Sequence, residues 1–430
     1  MQLLLQNTLT RKKDRFQPRK ENQVKLFTCG PSVYNLPHIG NYRTYLYEDI
    51  LERTLEALGY QVKRMINFTD IEDKALSQAQ SRGLKNLSKL TRPNEEQFFK
   101  DAQTLGIRLP DNIPRSSTSV DQAAKLIKIL VEKGNAYWHR GDVFFDPLTF
   151  KEFGKLYGLD MSRWPSGKVR FRKDTYPGQR WNLGDFILWH GKKKHDAFFW
   201  ETEIGKGRPA WNIQDPAMIS QELGYELDIF CGGVDNLYRH HDYNIAVMES
   251  LSQTTLARFW LHGEHLLVDG AKMSKSKGNI VYPQDLFQKG WSPGFLRFFL
   301  LSAHYRSKLD LSAAAIESAW STFNRLRTLV KEFQQGNTRL KTPKPSQAFS
   351  PARTLFHGAF VHLADDLDIP SSVNFLITAM EQFQAMKIAG QLSREEQGEV
   401  MASLASLDKV LGFIFEKESE GTKHKHRSHV

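Results

Sequence analysis

Cysteine is scarce in this chain: two in 430 residues, Cys29 and Cys231. A disulfide framework is excluded at that density, and a reducing compartment suits the composition. Long apolar runs are missing too. None approaches the ~20 residues a bilayer-spanning helix needs, so no such span is expected. The apolar fraction of 40% is still ordinary for a globular protein. The first twenty positions lack the apolar centre of a secretory signal, because R-K-K-D-R-F-Q-P-R-K is polar and basic. The expected location is the cytoplasm. No repeat emerges. Acidic residues are outnumbered, 48 to 59, which leaves a net charge of +11. That balance suits a polyanionic partner such as RNA without specifying one. The length exceeds what one core usually serves, so two or three domains are expected.

What is present centres on Cys29 to Thr44, C-G-P-S-V-Y-N-L-P-H-I-G-N-Y-R-T. Val24 to Thr28 before it reads as a short buried strand. Tyr45 to Leu58 after it reads as a helix, with Tyr47, Leu51, Leu55 and Leu58 on one stripe and Gly59 as its stop. Gly30, Pro31 and Pro37 enforce a tight loop, and His38-Ile39-Gly40-Asn41 opens the helix. A strand, a tight loop and a helix start make a phosphate site in a nucleotide-binding sheet, although an ordinary βα turn has the same outline. A second stretch, Lys272-Met273-Ser274-Lys275-Ser276, followed by Lys277-Gly278-Asn279, lies more than two hundred residues later.

H-I-G-N and K-M-S-K-S resemble the paired signatures of class I aminoacyl-tRNA synthetases. The words around them, C-G-P-S-V-Y-N-L-P-H-I-G-N, N-F-T-D-I-E-D-K (Asn67 to Lys74), G-D-F-I-L-W (Gly184 to Trp189) and G-R-P-A-W-N-I (Gly207 to Ile213), resemble the cysteinyl-tRNA synthetase family in order from about Leu26 to Phe415. The resemblance implies an α/β fold: a Rossmann-like class I synthetase catalytic domain with a connective insertion, followed by an α-helical bundle. The expected division is an N-terminal strand and basic linker over 1–23, a catalytic domain over 24–290 with its insertion at about 90–182, a bundle over 291–415 and a disordered tail over 416–430. It also implies ATP-dependent formation of an aminoacyl-adenylate with Mg²⁺, and transfer to the acceptor end of tRNA by a monomer.

The residue roles follow from the same resemblance. His38, Asn41, Lys272 and Lys275 are the catalytic set. Gly40, Gly232, Gly233, Asp235 and Lys275 bind ATP. Cys29, Thr69 and Trp211 line the amino-acid pocket. Adenylation needs positioned donors and mobile positive charge for the leaving pyrophosphate, which is what His38, Asn41 and the two lysines offer. In the family a zinc ion binds the substrate thiolate through two cysteines, a histidine and a glutamate. Those positions fall here on Cys29, Asp215, His240 and Asn244. His240 and Asn244 keep the i, i+4 spacing of one helix face. Aspartate is a harder ligand than thiolate and asparagine a weak neutral one, so weaker zinc binding and looser cysteine selectivity are expected. Cys231 reads as a small apolar residue rather than a relocated ligand.

Several local expectations complete the picture. Met1 to Leu5 reads as an edge strand, and Thr69 or Asp70 as a helix N-cap. Val120 to Lys133 reads as a helix with Leu126, Ile129 and Leu130 inside, and a helix is expected over Asn94 to Leu105. Asp185 to Trp189 reads as a return to the catalytic core. Arg163 to Arg180 reads as a mobile, solvated charge run, and Lys192 to His195 as exposed. Helices are expected over 283–288, 293–303, 313–333, 351–365, 371–390 and 395–413, with a linker over 335–350. The family's last, anticodon-contacting portion has no counterpart, which predicts weak anticodon reading. It also leaves open a shortened paralogue that joins an activated amino acid to a small amine or carrier protein, and an inactive RNA-binding homologue.

Overall fold

The computed structural model describes residues 1–161, 185–335 and 351–415. The charge run at 163–180, the linker beyond Gln335 and the tail after 415 lie outside the described residues. β1 (Leu4–Asn7) and β2 (Lys12–Arg15) pair as a hairpin of their own, so the edge strand expected over Met1 to Leu5 is not part of the main sheet. The hairpin is tied to that sheet by single bonds. The Thr8 amide donates to Trp260 O at 2.9 Å and Asn7 Nδ2 to Arg258 O at 2.9 Å.

β3 (Gln23–Thr28), α1 (Ile39–Ala57) and β4 (Gln61–Ile66) form the first parallel unit. Tyr47, Leu51 and Leu55 of α1 are buried as the stripe required, and Gly59, at φ 93°, ends the helix. α2 (Asp73–Ser81) starts without a side-chain cap. Asp70 does not cap it. Its carboxylate accepts from the Ser117 amide at 2.8 Å instead, because a longer-range donor is within reach of the buried acid. α3 (Ser88–Thr104) begins before the expected Asn94 and contains Pro93. Burial of Leu90 and Thr91 accompanies this earlier start, although the residue before a proline disfavours the helical region. In α4 (Val120–Glu132) the inward residues are Leu126, Ile127 and Leu130, whereas Ile129 is half-buried.

β5 (Ala136–His139) and β6 (Asp142–Phe145) turn through Arg140 and Gly141, at φ 49° and 84°, the geometry a two-residue hairpin favours. β7 (Phe186–Gly191), β8 (Trp200–Thr202) and β9 (Gly205–Pro209) extend this hairpin into a five-stranded antiparallel sheet, ordered β5-β6-β7-β9-β8. Phe186 to Trp189 therefore does not return to the parallel sheet. Its buried, apolar character belongs to the insertion's own core against α4 and α5 (Trp211–Glu222).

β10 (Leu227–Gly233), α6 (Asp242–Ser252) and β11 (Ala257–Gly263) complete the four-stranded parallel sheet, β11-β10-β3-β4. Its central strands read as near-continuous apolar runs because both faces are covered. β12 (Leu266–Val268) and β13 (Ala271–Lys272) form a small hairpin, joined by β14 (Leu309–Asp310). The rest is helical: α7 (Pro283–Gln288), α8 (Pro293–Leu301), α9 (Ala313–Gln334), α10 (Pro351–Ala364), α11 (Ile369–Ile388) and α12 (Arg394–Leu411). Side-chain caps start three of them, with Ser292, Asp368 and Ser393 accepting from amides three residues on, and Gly412 at φ 73° ends α12. Among the described residues no helix is long and apolar enough to cross a membrane.

Arg297 of α8 ties bundle to sheet. It is 1% exposed and donates to Leu411 O at 2.7 Å, Leu105 O at 3.0 Å, Gly106 O at 3.1 Å and the Asp49 carboxylate at 2.7 Å. Asp366, held at φ 60° past α10, plays a similar part. Its carboxylate accepts from the Gln6 amide at 2.8 Å, Tyr305 Oη at 2.7 Å and Arg306 Nε at 2.7 Å.

Candidate active site

The sheet order reverses between β3 and β10, the place where a doubly wound fold opens a crevice at its carboxyl edge. The loop after β3 lines one wall. A Cβ on Gly30 would lie 1.7 Å from Asn67 O, so only glycine fits there, and the Gly30 amide donates to Asn67 Oδ1 at 2.9 Å. His38 is the N-cap residue of α1, and its amide donates to Asn41 Oδ1 at 3.0 Å. Asn41 thus uses its carbonyl to close the first helical turn. Burial, reinforced by Lys272, lowers the His38 pKa and keeps the ring neutral near pH 7. Thr69 sits beside this loop: its amide donates to Pro31 O at 3.1 Å and its carbonyl accepts from the Val33 amide at 3.1 Å.

The lysine loop closes onto the same wall. Met273 is so near Gly40 that a Cβ there would stand 2.7 Å from its Cε. Lys275 Nζ donates to Asn35 Oδ1 at 2.7 Å. Lys272 Nζ lies 2.7 Å from both carboxylate oxygens of Asp235, the acid after the glycine turn. Gly278, at φ 66°, and the Ser274 amide bonded to Asn279 Oδ1 at 2.9 Å fold the loop back on itself. The structure therefore brings His38, Gly40, Asn41, Lys272, Lys275, Gly232, Gly233 and Asp235 around one crevice.

Deeper in the crevice four side chains converge. Cys29 Sγ lies 3.6 Å from His240 Nε2 and 3.9 Å from Asp215 Oδ2. His240 Nε2 stands 2.7 Å from Asp215 Oδ2, and Asn244 Nδ2 donates to the same oxygen at 3.4 Å. Asn67 Nδ2 holds the other Asp215 oxygen at 3.0 Å. Trp211 lies over His240, ring centroids 5.1 Å apart, and walls the pocket. Burial first, then Asp215 and Glu48, hold the Cys29 thiol well above its usual pKa. The helix expected to carry both His240 and Asn244 starts only at Asp242. Tyr238 is extended and Arg239 sits at φ 68°, so His240 reaches Asp215 from a kink rather than from a helical turn. Cys231 is fully buried in the core that includes Ile229 and Leu261, and its carbonyl accepts from the Cys29 amide at 3.2 Å.

Sequence reasoning missed three participants. Asn67 lies inside the N-F-T-D-I-E-D-K stretch with nothing in its spacing to mark it, yet it links the Gly30 amide to Asp215. Tyr47 looked like a core residue, yet its hydroxyl donates to Gly232 O at 2.8 Å and sits 3.3 Å from Leu261 O. His241 was one of a histidine pair. It is fully buried, and its Nδ1 lies 2.8 Å from His262 Nε2. The paired histidines were the one available signal.

Comparison with known proteins agrees with this geometry. The family described as tRNA synthetases class I (C) catalytic domain matches residues 15–321. A cysteine–tRNA ligase of Chlamydia muridarum is 37% identical over 96% of this chain and 88% of its own length. The chain belongs to the class I cysteinyl-tRNA synthetase family. A family member from Leptospira interrogans is 34% identical over 96% of the chain and 88% of its own length. A solved Mycobacterium tuberculosis methionyl-tRNA synthetase in complex with methionyl-adenylate superposes with a TM-score of 0.66 over 91% of this chain and 93% of that one, at 15% identity. That likeness speaks to the fold alone.

The family's zinc has a donor set to meet here. Tetrahedral zinc with one sulfur and harder ligands sets donor atoms about 3.3–3.7 Å apart. The 3.6 Å and 3.9 Å separations around Cys29 are close to that spacing. Cys29, Asp215 and His240 carry the ion's donor types, and the 2.7 Å His240–Asp215 contact would open to admit it. Asn244 fits poorly, because the atom it turns toward the group is an amide nitrogen, which has no lone pair to give.

Proposed function

We propose that the chain activates an amino acid with ATP, cysteine being the first candidate, and transfers it to the acceptor end of tRNA. The single observation that carries this reading is the meeting of the two signature loops, Met273 on Gly40 and Lys275 on Asn35, over the crevice at the carboxyl edge of the parallel sheet. The amino acid's carboxylate attacks the α-phosphorus of ATP, the bond to the bridging oxygen breaks, and pyrophosphate leaves. The residues bind, orient and neutralise, and form no covalent intermediate. Neutral His38 at the start of α1 offers a hydrogen-bond donor to the phosphates, beside the helix amides. Lys275 leaves Asn35 and Lys272 leaves Asp235 to meet the growing charge on pyrophosphate. Asp235, released, accepts from a ribose hydroxyl next to Gly232 and Gly233. Mg²⁺ arrives with the ATP phosphates, whose hard oxygens it prefers.

Thr69, Cys29 and Trp211 shape the amino-acid pocket. Cys29, Asp215 and His240 would hold zinc, which supplies a Lewis-acid centre for a substrate sulfur. The catalytic unit spans 24–290, with its insertion carried on to Pro209 because β7 to β9 pair with β5 and β6, and the bundle spans 291–415. The site is that of a cytoplasmic monomer acting on soluble substrates, where two unbridged cysteines are chemically at home. The test is amino-acid-dependent exchange of labelled pyrophosphate into ATP, run across all amino acids. Cysteine-dependent exchange is expected. Exchange with no amino acid at all would sink the reading.

A further inference from the structure

The family's fourth zinc ligand is a carboxylate, and this chain has Asn244 in its place. A second donor stands beside the group. The ligand atoms of Cys29, His240 and His241 all lie within 4.8 Å of one another. His241 is fully buried, yet its Nε2 has no hydrogen-bond partner among the described residues. A buried ring nitrogen left unpaired in this way is costly unless something occupies its lone pair. Its other nitrogen is fixed. His241 Nδ1 lies 2.8 Å from His262 Nε2, and His262 Nδ1 lies 2.8 Å from Thr8 Oγ1. If each Nδ1 carries the proton and donates outward, Nε2 of His241 presents a lone pair toward the cluster. That is the tautomer a metal-bound histidine adopts, held by the outer hydrogen bond that such ligands use. Gly232 leaves the ring its space, since a Cβ there would lie 2.7 Å from His241 Cε1.

We propose that His241 replaces the missing carboxylate, so that this chain gathers zinc on Cys29, His240 and His241, with Asp215 drawn in from its contact with His240 and positioned by Asn244 from outside the shell. Cys29 binds as thiolate and its proton goes to solvent. Two anionic and two neutral ligands then balance the charge of Zn²⁺. Asn244 keeps a task in this arrangement: its Nδ2, with Asn67 Nδ2 on the other oxygen, fixes the Asp215 carboxylate. The kink at Tyr238 and Arg239 sets the approach of both histidines together as the chain enters α6.

The inference rests on the family reading for the identity of the ion, but its test does not depend on catalysis. X-ray absorption at the zinc edge of the unmutated protein should show one sulfur and two imidazoles per ion. One imidazole would overturn the proposal. Competition with a chromophoric chelator should give a loss of zinc affinity of about 100-fold or more for His241→Gln, and about 10–100-fold for His262→Ala, which removes only the outer hydrogen bond. Asn244→Ala should change it by no more than about threefold. The reverse order, with Asn244→Ala releasing zinc and His241→Gln retaining it, would also overturn the proposal. Cobalt(II) bound to His241→Gln guards against misfolding as the cause: an intact fold still gives the thiolate charge-transfer band of Cys29, with altered ligand-field bands. A wild-type chain that takes up no zinc yet exchanges pyrophosphate would end this inference and leave the ligase reading standing. A chain that binds zinc through two imidazoles but exchanges no pyrophosphate would do the opposite.

Discussion

Gly30 and Lys275 meet at the same wall of the crevice and fail in different ways when changed. A methyl group on Gly30 meets backbone, Asn67 O at 1.7 Å, which has nowhere to go. Gly30→Ala should therefore destabilise the fold by about 3 kcal/mol or more, read as a shift in the urea midpoint, and should displace Asn67 from Asp215. An unchanged midpoint would mean that the loop after β3 yields more easily than its packing implies. Lys275 has partners near the surface in Asn35 and the Tyr34 ring, so Lys275→Ala should leave the midpoint alone and lower the exchange rate by about 10²–10³-fold. Equal losses in stability and rate would remove its special place in catalysis. Both residues were legible in the sequence. Asn67 and His241 were not, because their importance lies in which distant atoms they touch. No spacing along the chain announces a bond from residue 67 to residue 215.

At the scale of the element, α1 carries the most legible sequence and the least expected charge. Its limits, its buried stripe and the glycine that stops it could all be read from periodicity. So could α7 to α12, whose ends fall within a few residues of expectation because caps and prolines mark them. The errors are instructive. Asp70 was read as a cap because the alternative acceptor role depends on Ser117, far along the chain. Phe186 to Trp189 belongs to the insertion's core and not the catalytic core, because an apolar run says that it is buried, not against what. The kink at Arg239 was invisible because arginine carries no signal for positive φ. Glu48 of α1 is fully buried, with Arg64 Nη2 at 3.6 Å and the Thr28 hydroxyl beside it, and burial raises its pKa to about 8 despite both. A carboxyl whose folded pKa lies above its unfolded value stabilises the fold at low pH and loses that contribution as pH climbs toward 8. Glu48→Gln should thus cost little at pH 6 and should flatten the fall in melting temperature between about pH 5 and 8. A loss of equal size at pH 6 and pH 9 would instead mean that Glu48 is an ionised partner of Arg64 throughout.

For the molecule as a whole, Arg297 and Asp366 join parts that the sequence keeps far apart. Arg297→Met should strip the carbonyls of Leu411 and Leu105 of this donor, leave Gly106 O to Arg53, and leave Asp49 with Arg53 as its remaining side-chain partner, at a cost of about 3–5 kcal/mol. Calorimetry should then show the bundle melting before the sheet, where the unmutated chain melts in one step. A single transition in the variant would mean that apolar packing alone couples the two. The sheet's strand order has a further consequence, for the chain's synthesis on the ribosome. β3 pairs with β10, which begins at Leu227, while β4 follows β3 at Gln61. At about 5–20 residues per second, the roughly two hundred residues between β3 and β10 take on the order of 10–40 s to emerge. For that interval one side of a nascent β3–β4 ribbon has backbone groups with no strand to receive them. A trigger-factor-like holdase, or simple crowding by α1, must cover that side, and slow codons between positions 66 and 227 would lengthen the period in which two nascent chains on one messenger can pair with each other.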